Sequence, residues 1–182
     1  IALTVSDFAF AMSVQNLAWG FLQPVAGALA VSVGFRPVMV AGAVLYIAGL
    51  FLFALADGMA GVLLGGGVLI GTALACTASA IALAVGARAV PGHDRSFVLG
   101  AITATGSLGA LLSAPLGQML TGEHGWRAGI LAFLALAIFM LPVAWIAGRV
   151  DRVALPAAAP NQIGNASARG ALAGALHSLQ FL

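Results

Sequence analysis

The sequence predicts an all-α fold, a polytopic bundle of transmembrane helices. Three observations carry that expectation. The 182 residues are 62% hydrophobic and only 7% charged, against about 25% charged residues in an average soluble domain. Mean hydropathy is +1.12. Uncharged runs approaching the roughly 20 residues that a helix needs to cross a bilayer recur along the chain, and every Arg, Asp and Glu falls at the end of such a run or between two of them.

Five spans follow in order. The first is expected over residues 8–30, with Ser6 and Asp7 placed to cap its N-terminus. The stretch GALAVSVGFR, residues 27–36, joins it to a second span over residues 37–56, where Pro37 suits a first helical turn. Asp57-Gly58 makes the next turn, and a third span, rich in glycine and alanine, covers residues 61–85. A polar loop over residues 88–95 leads to a fourth span at 97–120. The loop holding Glu123, His124, Trp126 and Arg127 opens a fifth, which ends near Ala147. Residues 1–150 therefore form the membrane bundle. Residues 151–175, with Pro156, Pro160, Asn161, Gly164 and Asn165, read as a flexible linker, expected to be cytoplasmic, and residues 176–182 as the start of another helix.

Charge sets the expected orientation. The five spans put Arg36, Arg88, Arg95, Arg149, Arg152 and Arg169 on one side, and Arg127 with Asp7, Asp57 and Glu123 on the other. Cytoplasmic loops collect Lys and Arg, so the side with six arginines is expected inside. The chain then starts outside, and an odd number of spans implies at least one further helix before Ile1. The arginines are scattered singly, without the patch or aromatic interleaving that would indicate nucleic acid. The lone Cys76 lies within a span and permits no intramolecular disulfide.

Within the spans, small residues mark faces where helices can approach closely. Gly67, Gly71, Ala75 and Ser79 recur every four residues in the third span, and Gly106, Gly109, Ser113 and Gly117 share a face of the fourth, beside Pro115. The first span carries the informative polar side chains: Gln15, Asn16 and Gln23, with Trp19 between them. Gln15, Trp19 and Gln23 share a face at i, i+4 and i+8. Unpartnered amides in hydrocarbon are costly, so this face should meet either another helix, through hydrogen bonds, or a wet substrate cavity. Thr72, Thr77, Ser79, Thr103, Thr105 and Ser107 carry less information, because hydroxyls in helices bond back to their own backbone. His93, His124 and His177 have no second metal-type ligand at a useful spacing, no catalytic constellation is present, and no metal or cofactor is expected. The absence of any mid-span charge puts ion coupling, where it exists, in parts beyond this sequence.

The joint at residues 27–36 resembles the loop G-x-x-x-D-x-x-G-[RK]-x-x-[RK] between helices two and three of the major facilitator superfamily. Gly27 and Gly34 match its glycines, Arg36 lies one place past a basic position that Phe35 occupies, and Val31 stands where that family has an aspartate. In the family this aspartate belongs to a cytoplasmic charge network that holds the inner side closed. Gln15-Asn16-Leu17-Ala18-Trp19-Gly20 with Gln23-Pro24 resembles helix two of the bacterial monocarboxylate and oxalate:formate antiporter-like branch. Residues 87–95 resemble its loop between helices four and five, Gly106-Ser107-Leu108-Gly109 with Ala114-Pro115-Leu116-Gly117 its helix five, and Gly125-Trp126-Arg127 the opening of helix six. The resemblance implies that the spans are helices two to six of a twelve-helix transporter, lacking helix one and the second half. It further implies a bacterial inner-membrane location, partners in membrane lipid, a small organic solute such as a carboxylate and the missing helix one and second half, and Gln15, Asn16, Trp19 and Gln23 on the cavity wall. The alternative reading is a truncated or non-transporting membrane scaffold.

Overall fold

A computed structural model of the chain describes residues 4–153, the side chains of Glu123 and His124 excepted. The expected linker, apart from its first residues, and the helix start at 176–182 lie outside the described residues. Among the described residues the structure is helical throughout, with no strand, and five helical segments are long and apolar enough to cross a membrane.

Helix α1 (Val5–Val33) begins at a capping box. Thr4 is the N-cap; the Asp7 carboxylate accepts from the Thr4 amide at 2.8 Å and the Thr4 hydroxyl accepts from the Asp7 amide at 3.3 Å. The cap is thus Thr4 instead of Ser6 or Asp7, with Asp7 as its reciprocal partner. Helix α1 continues through Gly27 and Val31, so the joint of residues 27–36 narrows to Gly34 alone. That residue reverses the chain at φ +102, and α2 (Phe35–Ala54) starts at once.

The third span is not one continuous α-helix. It runs through α3 (Met59–Val62), a π-helical stretch at Leu63–Leu69 containing three consecutive glycines, α4 (Ile70–Thr77), an extended residue at Ala78 (φ −55, ψ 156), and α5 (Ser79–Ala89). Local π-helix is tolerated where glycines leave room and neighbouring helices hold the widened turn. Helix α6 (Arg95–His124) is a single element, and Gly125 at φ +81 reverses the chain into α7 (Trp126–Ile138). The fifth span breaks at Phe139 before α8 (Met140–Ala147) and a terminal 3-10 turn, Gly148–Arg152. Pro142 explains that break, since it cannot donate to the carbonyl of Ile138 and its ring crowds it.

The bundle contains an internal echo. Pro24 precedes Gly34 by ten residues, and Pro115 precedes Gly125 by the same interval. Each of these positive-φ glycines is followed by an aromatic residue and an arginine, Phe35-Arg36 and Trp126-Arg127. The two long helices α1 and α6 thus enter the helices that follow them through the same one-residue turn, at opposite ends of the bundle.

Close packing centres on glycine. A Cβ built on Gly71 would stand 2.6 Å from the Gln15 carbonyl oxygen, one on Gly42 2.7 Å from the Cys76 Cβ, and one on Gly65 2.7 Å from the Phe53 amide nitrogen. These contacts draw α1, α2 and the third span into one unit, as small residues do where lipid offers no hydrophobic driving force between helices. The associated core is largely alanine, with Phe35, Val38, Ile81, Val85 and Val150 clustered at the arginine-rich end and Leu50, Ile70 and Ala137 forming a second group.

Candidate functional site

The four polar residues of α1 occupy different surroundings. Gln15 and Gln23 are half-buried, whereas Asn16 and Trp19 are exposed. Gln15 lies at the crossing with Gly71, which brings its backbone, not its amide, against α4. Asn16 donates from Nδ2 to the Met12 carbonyl at 2.8 Å, satisfying itself within its own helix. The hydroxyls behave as expected for helical Ser and Thr: Thr72, Thr77, Thr103, Thr105 and Ser107 all donate to carbonyls four residues earlier.

The glycine faces separate into two kinds. Gly67 and Gly71 meet α1, with Gly67 3.3 Å from the Ala11 carbonyl oxygen by the same Cβ construction. Gly106 and Gly109 have nothing within 4 Å among the described residues, and Gly117, two residues past Pro115, faces the Phe133 ring at 3.5 Å. A cleft of about 350 Å³ lies between α5 and α6, lined in part by Ser79, Thr103, Gly106 and Ser107. It opens beside the break at Ala78, so the first turn of α5 and the small-residue face of α6 border the same space.

The Gly34 turn is closely constrained. Helix α2 begins with a glycine N-cap that carries no side chain to bind its free amides. Asp151 takes that role from the far end of the chain: its Oδ1 accepts from the Phe35 amide and its Oδ2 from the Arg36 amide, both at 2.8 Å. A Cβ on Gly34 would stand 2.8 Å from Asp151 Oδ2, so the turn admits the carboxylate only because residue 34 is glycine. The Arg36 guanidinium lies over the Trp145 ring at 4.8 Å, and Arg88 lies over Phe35 at 5.2 Å while donating to the Val153 carbonyl at 3.3 Å. Val31, in the family's aspartate position, is 83% exposed. The acid at this turn is therefore Asp151, a residue that sequence reading left unassigned because 116 positions separate it from Phe35.

The opposite end has its own clasp. Arg127 donates to Asp57 at 2.8 Å and to the Ala56 carbonyl at 3.3 Å, while Trp126, Phe53 and Phe8 stack in series at centroid distances of 6.0 and 6.3 Å. Both glycine turns are thus tied to the end of a helix from the other half of the bundle, one by Asp151 and one by Asp57. No cluster of metal-ligating side chains exists among the described residues.

Comparison with known proteins bears on this arrangement. The sequence profile described as Major Facilitator Superfamily matches residues 1–180. Monocarboxylate transporter 3 of Mus musculus is 32% identical over 134 residues, which cover 73% of this chain and 27% of that protein. The chain thus spans about a quarter of the length of the curated relative it matches. No solved structure matches it. With the profile running over nearly its whole length, the chain belongs to the Major Facilitator Superfamily.

Proposed function

We propose that this chain is part of a secondary transporter that moves a small organic solute, a carboxylate anion in the first instance, by alternating access. The observation that carries the reading is the family match over residues 1–180. The likeness to a protein named for monocarboxylate transport supports the solute class. Two features fit a half-bundle that rocks as a body: glycine crossings bind α1, α2 and the third span closely, and polar clasps tie the chain reversals at both ends. In this reading the arginine-rich end faces the cytoplasm. The resemblance to the bacterial branch favours a bacterial inner membrane, and the mouse relative extends the likeness to eukaryotes.

Gln15, Asn16, Trp19 and Gln23 are the proposed wall of the solute path from this half. Gln15 and Gln23 are half-buried and Trp19 between them is exposed, so the described helices leave that face partly open, which fits a cavity wall. The test is uptake of radiolabelled short-chain carboxylates by the full-length parent protein reconstituted in liposomes. Accumulation above protein-free liposomes is expected, and Gln15→Leu with Gln23→Leu should raise KM at unchanged expression. Uptake no greater than in protein-free liposomes would remove the carboxylate assignment, and unchanged kinetics in the double variant would remove the cavity role of the two glutamines.

A further inference from the structure

The arginine-rich end carries more cation than the described residues neutralise. Arg36, Arg88, Arg95, Arg149 and Arg152 lie there, with Asp94 and Asp151 as the carboxylates. Asp94 contacts His93 at 3.1 Å, and both oxygens of Asp151 accept from backbone amides. Residues 154–182 contain no Asp or Glu and add Arg169, so the remainder of this sequence supplies no acid to balance them.

One of these arginines packs on an exposed aromatic residue, and two more lie shortly after that residue in the chain. Trp145 is 56% exposed in the last full turn of α8. Arg36 crosses from α2 to lie 4.8 Å above its ring, with Nε buried and unpartnered among the described residues. Arg149 and Arg152 follow Trp145 by four and seven residues, within the terminal 3-10 turn, and both are exposed. The same helix and its approach also expose Phe139, Val143 and Ile146, which at about 100° per residue lie roughly 100–160° round the helix from Trp145. Exposed cations at a tryptophan on the membrane-facing end of an apolar helix suit an amphiphile with an anionic head.

We propose that Arg36, Arg149 and Arg152, at the Trp145 end of α8, bind the phosphodiester headgroup of an anionic glycerophospholipid in the leaflet at the arginine-rich end. Guanidinium groups pair with phosphate oxygens in a fork geometry, and basic residues at a membrane surface attract anionic lipid. The Trp145 ring holds the Arg36 side chain at the headgroup level, where tryptophan itself prefers to sit. This inference needs only that the chain spans a membrane, and it is independent of the transport reading.

Trp145 reports directly on the site. The full 182-residue chain carrying Trp19→Phe and Trp126→Phe, which leaves Trp145 as its one tryptophan, is reconstituted in liposomes doped with either dibrominated phosphatidylglycerol or dibrominated phosphatidylcholine. Half-quenching of Trp145 is expected at a mole fraction of the anionic lipid at least about fivefold below that of the zwitterionic one, and each of Arg36→Gln and Arg149→Gln should reduce that preference by about fivefold. Arg95→Gln, on α6, should leave it intact. Arg149 is exposed and has no hydrogen bond or ion pair among the described residues, so its variant keeps the test open even where Arg36→Gln misfolds. Equal quenching by the two lipids, or a preference unchanged in Arg149→Gln, would overturn the proposal. Loss of the preference in excess inorganic phosphate would also overturn it, by identifying a site for a free anion.

Discussion

The carboxylate of Asp151 accepts a 2.8 Å hydrogen bond from the backbone amide of Phe35, across 116 residues of chain. Its second oxygen takes the amide of Arg36 at the same distance. The first amides of a helix have no intrahelical partner and sit at the positive end of its dipole, so a carboxylate is the most favourable side chain to meet them. Here the N-cap is glycine, and the cap comes from the end of the fifth span. The contact ties the start of α2 to the exit of α8 without using any arginine side chain, which leaves the Arg36 guanidinium for Trp145.

Removing this remote cap should weaken the arginine-rich end. Asp151→Ala is expected to cost about 1–2 kcal/mol, the range for losing a side-chain N-cap. In detergent that corresponds to a fall of a few degrees in unfolding temperature. Asp151→Asn keeps one acceptor and should cost less than half as much. An Asp151→Ala protein that melts with the parent would show that water replaces the carboxylate without loss.

The two glycine turns should respond unequally to the same substitution. Gly34 (φ +102, ψ 160) and Gly125 (φ +81, ψ 163) both occupy backbone conformations reserved almost wholly for glycine, so alanine should cost about 1–3 kcal/mol at either. At Gly34 the new Cβ also stands 2.8 Å from Asp151 Oδ2, whereas at Gly125 it meets nothing within 4 Å. Gly34→Ala is therefore the more damaging of the two by thermal unfolding. Adding Asp151→Ala to Gly34→Ala should cost less than Asp151→Ala does alone, because the clash and the cap are the same contact. Strict additivity in this double-mutant cycle would contradict the geometry.

These contacts mark what a sequence can and cannot disclose. Five spans were legible because hydropathy and the placement of arginines act over whole helices, and so were the joint that holds Gly34 and the loop that holds Gly125, though not the single glycine on which each one turns. Asp151 was not, since nothing local relates a residue after the fifth span to the start of the second. Nor was the break at Ala78, which lies in a stretch with neither proline nor glycine nearby; it follows Cys76 and Thr77, the residues against which Gly42 of α2 packs. The small-residue faces were visible as a pattern, but Gly67, Gly71 and Gly117 have neighbours against them, whereas Gly106 and Gly109 meet nothing within 4 Å among the described residues.

That difference gives a paired experiment on the 182-residue chain. Gly71→Ala places a methyl group 2.6 Å from the Gln15 carbonyl and must separate α1 from α4; a loss of about 1–3 kcal/mol is expected, as for other overpacked sites. Gly106→Ala enters open space and exchanges glycine for a better helix former, so it should be neutral or stabilising by up to about 1 kcal/mol. Unfolding in the same detergent measures both. A larger loss at Gly106 than at Gly71 would mean that α6 meets a partner that the described residues do not supply.

The break in the third span makes a sharper prediction about proline. Inside a membrane helix, proline removes a backbone hydrogen bond and crowds the preceding turn, at a cost of about 3 kcal/mol or more. Ser79 is the first residue of α5, and its amide makes no backbone hydrogen bond among the described residues. Ala78 before it is already extended at φ −55 and ψ 156, the conformation that a following proline demands. Proline is also favoured at the first position of a helix. Ser79→Pro should therefore cost less than about 1 kcal/mol, while Ala75→Pro, four residues earlier and fully buried within α4, should prevent folding. Expression and gel-filtration profile distinguish the two variants. If Ser79→Pro aggregates as Ala75→Pro does, the third span is continuous through Ala78 and the cleft beside Ser79 has no helix end opening onto it.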